Sequence, residues 1–252
     1  MNIFSLNDLE LSYLDAGSGF PLVLIHGMGS DHNIWAGIIP LLKENYRVLA
    51  VDLRGHGCSS KTRGPYNMEI FSTDIQGFLE SLDIKKAHFI GHSMGGAVLL
   101  EMAINNPDIM SSLTLISSFA YPDYQLKKSL INLRNTLNEQ GYNEFFDECI
   151  KIAHNPQYVK ENRELLNKFR KEMAKTSSIP SLISTIYACL NVNYRDSLKN
   201  ILTPTLIIAG EEDQFISKDQ GIKISKSIPQ SKFNLVSGAS HNMVVEEPLK
   251  IY

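Results

Sequence analysis

The chain has 252 residues, 43% hydrophobic and 20% charged, with a formal net charge of −3. That length buries a full core, either as one large α/β domain or as one domain carrying an insertion. The slightly acidic balance offers neither a basic footprint for nucleic acid nor a polybasic membrane signal. No apolar run approaches the roughly 18 residues of a membrane-spanning helix. The first residues, Met1 to Asp8, lack a charged region followed by an apolar one. Cys58, Cys149 and Cys189 are odd in number and far apart, which suggests neither a disulfide framework nor a zinc site. The expectation is a cytoplasmic protein with no cofactor and no metal, a monomer or weak homodimer, partnered by neither nucleic acid nor membrane.

Along the chain, Asn2–Leu6 and Glu10–Asp15 alternate in polarity and read as an antiparallel hairpin at a sheet edge. Pro21–Ile25 is a continuous apolar run, the pattern of a central strand covered on both faces. It ends in His26-Gly27-Met28-Gly29, and a helix containing Trp35 and Leu41-Leu42 is expected before the strand Tyr46–Val51. The polar loop Asp52–Ser60 follows, in which Asp52 and Arg54 suggest a bracing ion pair. Ile70, Phe71, Ile75, Phe78, Leu79 and Leu82 recur at helical spacing over Met68–Leu82. Ala87–Ile90 and Ser112–Ile116 read as further strands.

Between Ala87–Ile90 and a helix-period run from Ala97 lies Gly91-His92-Ser93-Met94-Gly95-Gly96. Gly91-x-Ser93-x-Gly95 must turn strand into helix within a few residues, which holds the serine in a sparsely populated conformation and lifts its hydroxyl to the carboxyl edge of the sheet. A Cβ at Gly91 or Gly95 would collide with the neighbouring strand and helix. The free N–H groups at the helix start lie where an oxyanion would form. The segment therefore suggests a nucleophile and half of an oxyanion hole.

From Tyr121 to about Asp196 strand-like runs cease, and helical segments replace them over Gln125–Gln140, Tyr142–Ala153, Gln157–Thr176 and Ser181–Leu190. The organisation expected is a core in two parts, residues 1–120 and 197–252, with a helical cap inserted over 121–196. Strands resume at Thr205–Ala209 and Lys232–Val236, with a helix over Gln220–Ser227 between them. The alternation predicts an α/β fold with a mostly parallel central sheet and helices on both faces.

A serine hydroxyl needs a base to activate it and a group to orient that base, and in a parallel sheet such groups lie after the carboxyl ends of strands. Asp213, in Gly210-Glu211-Glu212-Asp213, follows the strand ending at Ala209. His241, in Gly238-Ala239-Ser240-His241, follows the strand ending at Val236. Glu211 and Glu212 compete with Asp213 but read as solvated loop carboxylates. Of the other histidines, His32, His88 and His154 read as structural or solvated, His26 and His92 as buried turn residues, and His56 as a loop brace.

Five marks in this order resemble those of the α/β-hydrolase superfamily across essentially the whole chain: His26-Gly27-Met28-Gly29, Asp52-x-Arg54-Gly55-x-Gly57-x-Ser59, Gly91-His92-Ser93-Met94-Gly95-Gly96, Gly210-x-x-Asp213, and His241. Within it the chain is similar to small capped carboxylesterases, enol-lactone hydrolases and carrier-protein-ester hydrolases. The resemblance implies Ser93 as nucleophile, His241 as general base and acid, Asp213 as its orienter, and the backbone N–H groups of Met28 and Met94 as oxyanion donors. Gly27, Phe119 and Tyr121 would adjoin the substrate, a small ester, thioester or lactone. The family pattern ends in a helix packed on the sheet, of which Met243–Ile251, interrupted by Pro248, supplies only the first part. Carbon–carbon hydrolysis of a diketone, or a slowly turning-over ligand receptor, are the alternatives.

Overall fold

The computed structural model describes residues 1–7 and 9–252. Among them, eight strands form one sheet: β1 (Asn2–Leu6), β2 (Leu9–Ala16), β3 (Phe20–Ile25), β4 (Tyr46–Val51), β5 (Ala87–His92), β6 (Met110–Ile116), β7 (Thr205–Gly210) and β8 (Ser231–Val236). Their spatial order is β1-β2-β4-β3-β5-β6-β7-β8, antiparallel from β1 through β2 to β4 and parallel beyond. The register aligns Ile25 with both Val51 and Gly91, His92 with Ile116, and Gly210 with Val236. One edge of the sheet therefore gathers the loops that begin at His26, Asp52, Ser93, Ser117, Glu211 and Ser237.

Because successive side chains point to opposite faces, the apolar runs feed two cores. Val23, Ile25, Leu49, Val51, Phe89, Leu113 and Leu115 pack on one face, with α2 (Met68–Ser81) and α3 (Met94–Asn105). Leu22, Leu24, Val48, Ala50, Ile116 and Ile208 pack on the other, against Trp35, Ile38, Met243 and Val244. This two-sided burial is why the parallel strands read as unbroken hydrophobic stretches. No helix among the described residues is long and apolar enough to cross a membrane.

The helix expected to run from Trp35 to Leu42 is instead two short pieces, a 3-10 turn over His32–Trp35 and α1 (Ile39–Leu42). Pro40 has no N–H to donate to the carbonyl of Ala36, so a continuous helix would lose that bond. At Gly37 a Cβ would stand 2.9 Å from Pro248, where the chain's C-terminal segment packs against the gap. Trp35 nonetheless anchors the core it shares with Leu22, Leu24 and Met243, fully buried.

Between β6 and β7 the chain forms α4 (Tyr124–Glu139), α5 (Tyr142–Ala153), α6 (Pro156–Glu161), α7 (Arg163–Thr176) and α8 (Ile179–Leu190). The single helix expected over Gln157–Thr176 is broken at Asn162, whose side chain donates to the Tyr158 carbonyl at 3.0 Å. Such local side-chain bonds compete with the helical backbone. Leu126, Leu130, Leu133 and Leu137 of α4 continue the larger core. The two ends of this insertion meet where Tyr194 N–H donates to the Ala120 carbonyl at 2.9 Å. After β7 come α9 (Lys218–Ser227) and, past β8, α10 (Met243–Glu246).

Candidate active site

Ser93 sits between β5 and α3 with φ 54° and ψ −120°, a conformation a non-glycine residue adopts only when its surroundings impose it. The constraint is visible in the flanking glycines. A Cβ on Gly95 would lie 2.2 Å from the Ile25 carbonyl oxygen, and one on Gly91 would lie 2.6 Å from the Gly96 nitrogen. Three hydrogen bonds hold the turn: Ser93 N–H to the Ile116 carbonyl at 2.8 Å, Gly96 N–H to the Ser93 carbonyl at 3.0 Å, and Ser118 Oγ to that same carbonyl at 2.9 Å. Ser118 escapes sequence reasoning because a serine two residues past a strand carries no signal of its partner.

Ser93 Oγ lies 3.0 Å from His241 Nε2, and His241 Nδ1 lies 2.8 Å from Asp213 Oδ2. All three side chains are buried. Asp213 Oδ1 accepts from the N–H groups of Phe215 and Ile216 at 2.9 and 2.8 Å, so the carboxylate is fixed with its other oxygen toward the imidazole. A carboxylate only accepts, so the proton belongs on Nδ1, and Nε2 is left to receive the serine's. The edge of the His241 ring meets Phe215, with centroids 5.1 Å apart. Glu211 and Glu212 are exposed and lie apart from this chain of bonds: Glu211 accepts from Ser237 and Gly238, and Glu212 from Asn155.

The Met94 amide, first in its helix, and the Met28 amide both lack a hydrogen-bond acceptor among the described residues. A Cβ on Gly27 would come 3.1 Å from both Ser93 Cβ and His92 Nδ1, so only glycine lets the loop after β3 approach the serine this closely. Phe119 is buried in the larger core. Tyr121 lines a different cavity, with Arg195, Gln220 and Lys223, whose walls include none of Ser93, Asp213 and His241.

Three neutral imidazoles frame the site. His26 Nδ1 donates to the Gly27 carbonyl at 2.7 Å while Nε2 accepts from Leu53 N–H at 3.0 Å, and burial holds its pKa down. His92 Nε2 donates to the His241 carbonyl at 3.0 Å, fixing the backbone that bears the imidazole. Burial pushes His92 down to about 3. Burial likewise drives His56 to about 3, and its Nδ1 braces the Arg54 carbonyl at 3.0 Å.

Asp52 and Arg54 do not pair with each other, contrary to the expectation from sequence. Asp52 turns inward, where Oδ1 accepts from His32 Nδ1 at 2.7 Å and from His32 N–H at 2.8 Å, and Oδ2 from Cys58 N–H at 2.9 Å. Burial opposes its charge, but these bonds, that from the His32 ring foremost, hold its pKa below the usual range. Arg54 reaches across to Asp74 of α2 in a two-pronged ion pair. Ligand atoms of Asp31, His32 and Asp52 lie within 4.8 Å of one another. Asp31 Oδ1 also caps Asn33 N–H at 2.8 Å.

Of the two roles expected for His154, structural or solvated, it takes the structural one: it is buried. Its Nδ1 lies 2.7 Å from Glu246 Oε1 and its Nε2 2.8 Å from Asn242 Nδ2. Ser240 Oγ also lies 2.8 Å from Glu246 Oε1, and Asn242 N–H donates to the Ala153 carbonyl at 2.9 Å. Both neighbours of His241 are thus tied to the end of α5.

The arrangement can polarise a serine hydroxyl and present two amides to a negative oxygen. Comparison with known proteins places the fold in a family. The family model for the alpha/beta hydrolase fold matches residues 21–248, and the chain belongs to that family. It is 25% identical to the inferred carbamate hydrolase RutD of Azorhizobium caulinodans over 235 residues, covering 93% of this chain and 89% of that one. It is 27% identical to 3-oxoadipate enol-lactonase 2 of Acinetobacter baylyi over 247 residues, covering 96% and 90%. Among solved structures, a thermophilic esterase from Thermogutta terrifontis superposes with a TM-score of 0.86 at 26% identity, covering 96% of this chain and 90% of that one.

Proposed function

We propose that the protein is a serine hydrolase that cleaves a carboxylic ester, thioester or lactone through an acyl-enzyme. The observation that carries this reading is the continuous relay Asp213–His241–Ser93, with contacts of 2.8 and 3.0 Å. Ser93 Oγ attacks the acyl carbonyl as His241 Nε2 takes its proton, and Asp213 stabilises the imidazolium through Nδ1–H. The carbonyl oxygen gains negative charge and is received by the Met28 and Met94 amides, each worth about 3 kcal/mol of barrier in such sites. Collapse breaks the bond to the leaving oxygen or sulfur, which departs with the proton from His241. Water then repeats the attack on the acyl-enzyme, giving its proton to His241, and the serine leaves with it. The overall balance is one ester and one water in, one acid and one alcohol out.

The insertion over 121–196 acts as a cap that shapes the acyl pocket. The resemblance to an inferred carbamate hydrolase supports a second reading, in which the same relay acts on a carbamate carbonyl.

The test is a panel of p-nitrophenyl esters of rising chain length, an enol-lactone and an aryl carbamate, with a fluorophosphonate to label the nucleophile. Wild type is expected to turn over the esters and to be labelled at Ser93. Ser93→Ala is expected to lose about 10⁴–10⁶-fold in kcat while keeping its fold. Near-full activity in that variant would remove Ser93 from the reaction, and a preference for the carbamate would select the second reading.

A further inference from the structure

Two consecutive residues after β4, Asp52 and Leu53, hold the turn that carries the Met28 amide. Met28 and Gly29 are the central pair of that turn, which Ser30 N–H closes by donating to the Gly27 carbonyl at 3.3 Å. Gly29 takes φ 69°, a left-handed value that glycine adopts at little cost. On the incoming side, Leu53 N–H donates to His26 Nε2 at 3.0 Å. On the outgoing side, Asp52 Oδ1 accepts from His32 N–H at 2.8 Å and from His32 Nδ1 at 2.7 Å.

The carboxylate stands on a rigid footing. Asp52 N–H donates to the Ser12 carbonyl at 2.8 Å, so the pairing of β4 with β2 runs on into this residue. Ser59 Oγ donates to the Asp52 carbonyl at 2.6 Å and accepts from Ser12 N–H at 2.8 Å. Asp52 Oδ2 accepts from Cys58 N–H at 2.9 Å. A Cβ on Gly57 would stand 2.2 Å from that oxygen and 2.9 Å from Asp31 Cβ, so only glycine lets the two loops meet around the carboxylate. Asp52 is fully buried, and both of its oxygens are used.

The Met28 amide is thus aimed from two sides. Gly27 stands against Ser93, where a built Cβ would meet Ser93 Cβ at 3.1 Å, and His32 hangs on the buried carboxylate. Met28 N–H has no acceptor among the described residues, so the placement of its turn is what directs it. A hydrogen bond weakens steeply off axis, and an oxyanion donor must already point where charge will develop.

We propose that Asp52, acting through His32, is a positioning residue for the oxyanion hole and sets the direction of the Met28 N–H. This role rests on the serine-hydrolase reading above, in which that amide receives the developing negative oxygen. Asp52 itself touches no reacting atom. A turn that swings by a fraction of an ångström loses stabilisation of the oxyanion, while an unreacted carbonyl binds as before.

The test compares inhibition by an alkyl trifluoromethyl ketone with inhibition by the methyl ketone of the same chain. In the first, Ser93 Oγ bonds the carbonyl carbon, its proton passes to His241 and the carbonyl electron pair moves onto oxygen; the second binds without adding. His32→Phe removes the ring donor and keeps its volume, and His32→Asn keeps a donor near the Nδ1 position. Asp52→Asn is isosteric but must turn a donor toward His32 or toward Cys58 N–H. Asp52→Asn and His32→Phe are each expected to weaken the trifluoromethyl ketone and to lower kcat on p-nitrophenyl butyrate about tenfold, with KM and methyl-ketone affinity within about twofold. His32→Asn is expected to recover most of the loss. Wild-type values in Asp52→Asn and His32→Phe overturn the role. Equal losses for both ketones, or a His32→Asn protein no better than His32→Phe, reduce the pair to loop support and overturn it as well. A wild-type protein that neither turns over the ester nor prefers the trifluoromethyl ketone refutes the hydrolase reading itself, and this role with it.

Discussion

His154 Nδ1 lies 2.7 Å from Glu246 Oε1, and this contact ties the end of α5 to the segment that carries His241. Glu246 accepts from Ser240 Oγ as well, and Asn242 bonds both the Ala153 carbonyl and His154 Nε2, so the residues on either side of His241 are held by the insertion. Glu246 touches no reacting atom in the proposed mechanism and is a positioning residue. Small displacements of a reacting group cost rate steeply. Glu246→Ala is expected to lower kcat about 10–100-fold and to slow fluorophosphonate labelling of Ser93 in step. Glu246→Gln keeps an oxygen for His154 and is expected to recover most of the loss. Labelling of the alanine variant at the wild-type rate would deny it a positioning role.

Asp213 holds the imidazole and its own loop with separate oxygens. In Asp213→Asn, the side-chain oxygen is expected to stay with the Phe215 and Ile216 amides, since only an acceptor suits them. That leaves the NH₂ group facing His241 Nδ1, which must become an acceptor, and the proton moves to Nε2. An imidazole protonated there cannot take the serine's proton. The expected loss is about 10⁴-fold in kcat with little change in melting temperature. Steady-state kinetics beside a thermal melt checks this, and a loss of under tenfold would show that tautomer control is unimportant.

Glycines at the site and in the insertion are expected to respond unequally to alanine. At Gly95 the new Cβ would stand 2.2 and 2.5 Å from the carbonyl oxygens of Ile25 and His26, both backbone atoms at the end of β3. Relief requires moving the strand that supports the Gly27-Met28 loop, so Gly95→Ala is expected to cost more than about 4 kcal/mol. Gly141 has φ 95° and ψ −169° but nothing within 4 Å of a built Cβ, so only the conformational strain remains, about 1–3 kcal/mol. Urea denaturation of both variants separates the two. A Gly95→Ala protein of near wild-type stability would show that the close approach of α3 and β3 is not required.

Much of this architecture is legible in the chain because it rests on short-range constraints. The run Leu22–Ile25 is apolar on both faces, and Gly91-x-Ser93-x-Gly95 specifies a turn that few other residues permit. The order Ser93, Asp213, His241 follows from placing each after a strand, and the sheet register brings all three to one edge. What stayed hidden depends on long-range pairing. Arg54 pairs with Asp74 twenty residues on, His154 with Glu246 ninety-two residues on, and Ser118 with the backbone of Ser93. No local pattern distinguishes these side chains from solvated ones. Pro40 did carry a local signal against a continuous helix through Trp35, and the spacing of apolar residues obscured it.

The buried imidazoles set the response of stability to acid. His56 and His92 have folded-state values of about 3, against an ordinary 6.5, because burial disfavours their charged forms. Between those values the unfolded chain binds protons that the folded chain refuses, so stability rises with pH across this window. Each group contributes a slope of about 1.4 kcal/mol per pH unit below its unfolded value, and the pair sums to about 4 kcal/mol between pH 7 and pH 5. His32 acts with the opposite sign. Its pairing with Asp52 outweighs its burial and raises its pKa, so its stabilisation is full below 6.5 and fades as pH rises through the folded value. The net expectation is an unfolding free energy that falls steeply on acidification below about 6.5. His56→Asn, which keeps a donor for the Arg54 carbonyl, is expected to reduce that slope by about 1.4 kcal/mol per pH unit. Urea unfolding at a series of pH values measures it, and a free energy unchanged between pH 7 and pH 5 would mean that these imidazoles are not kept neutral by the fold.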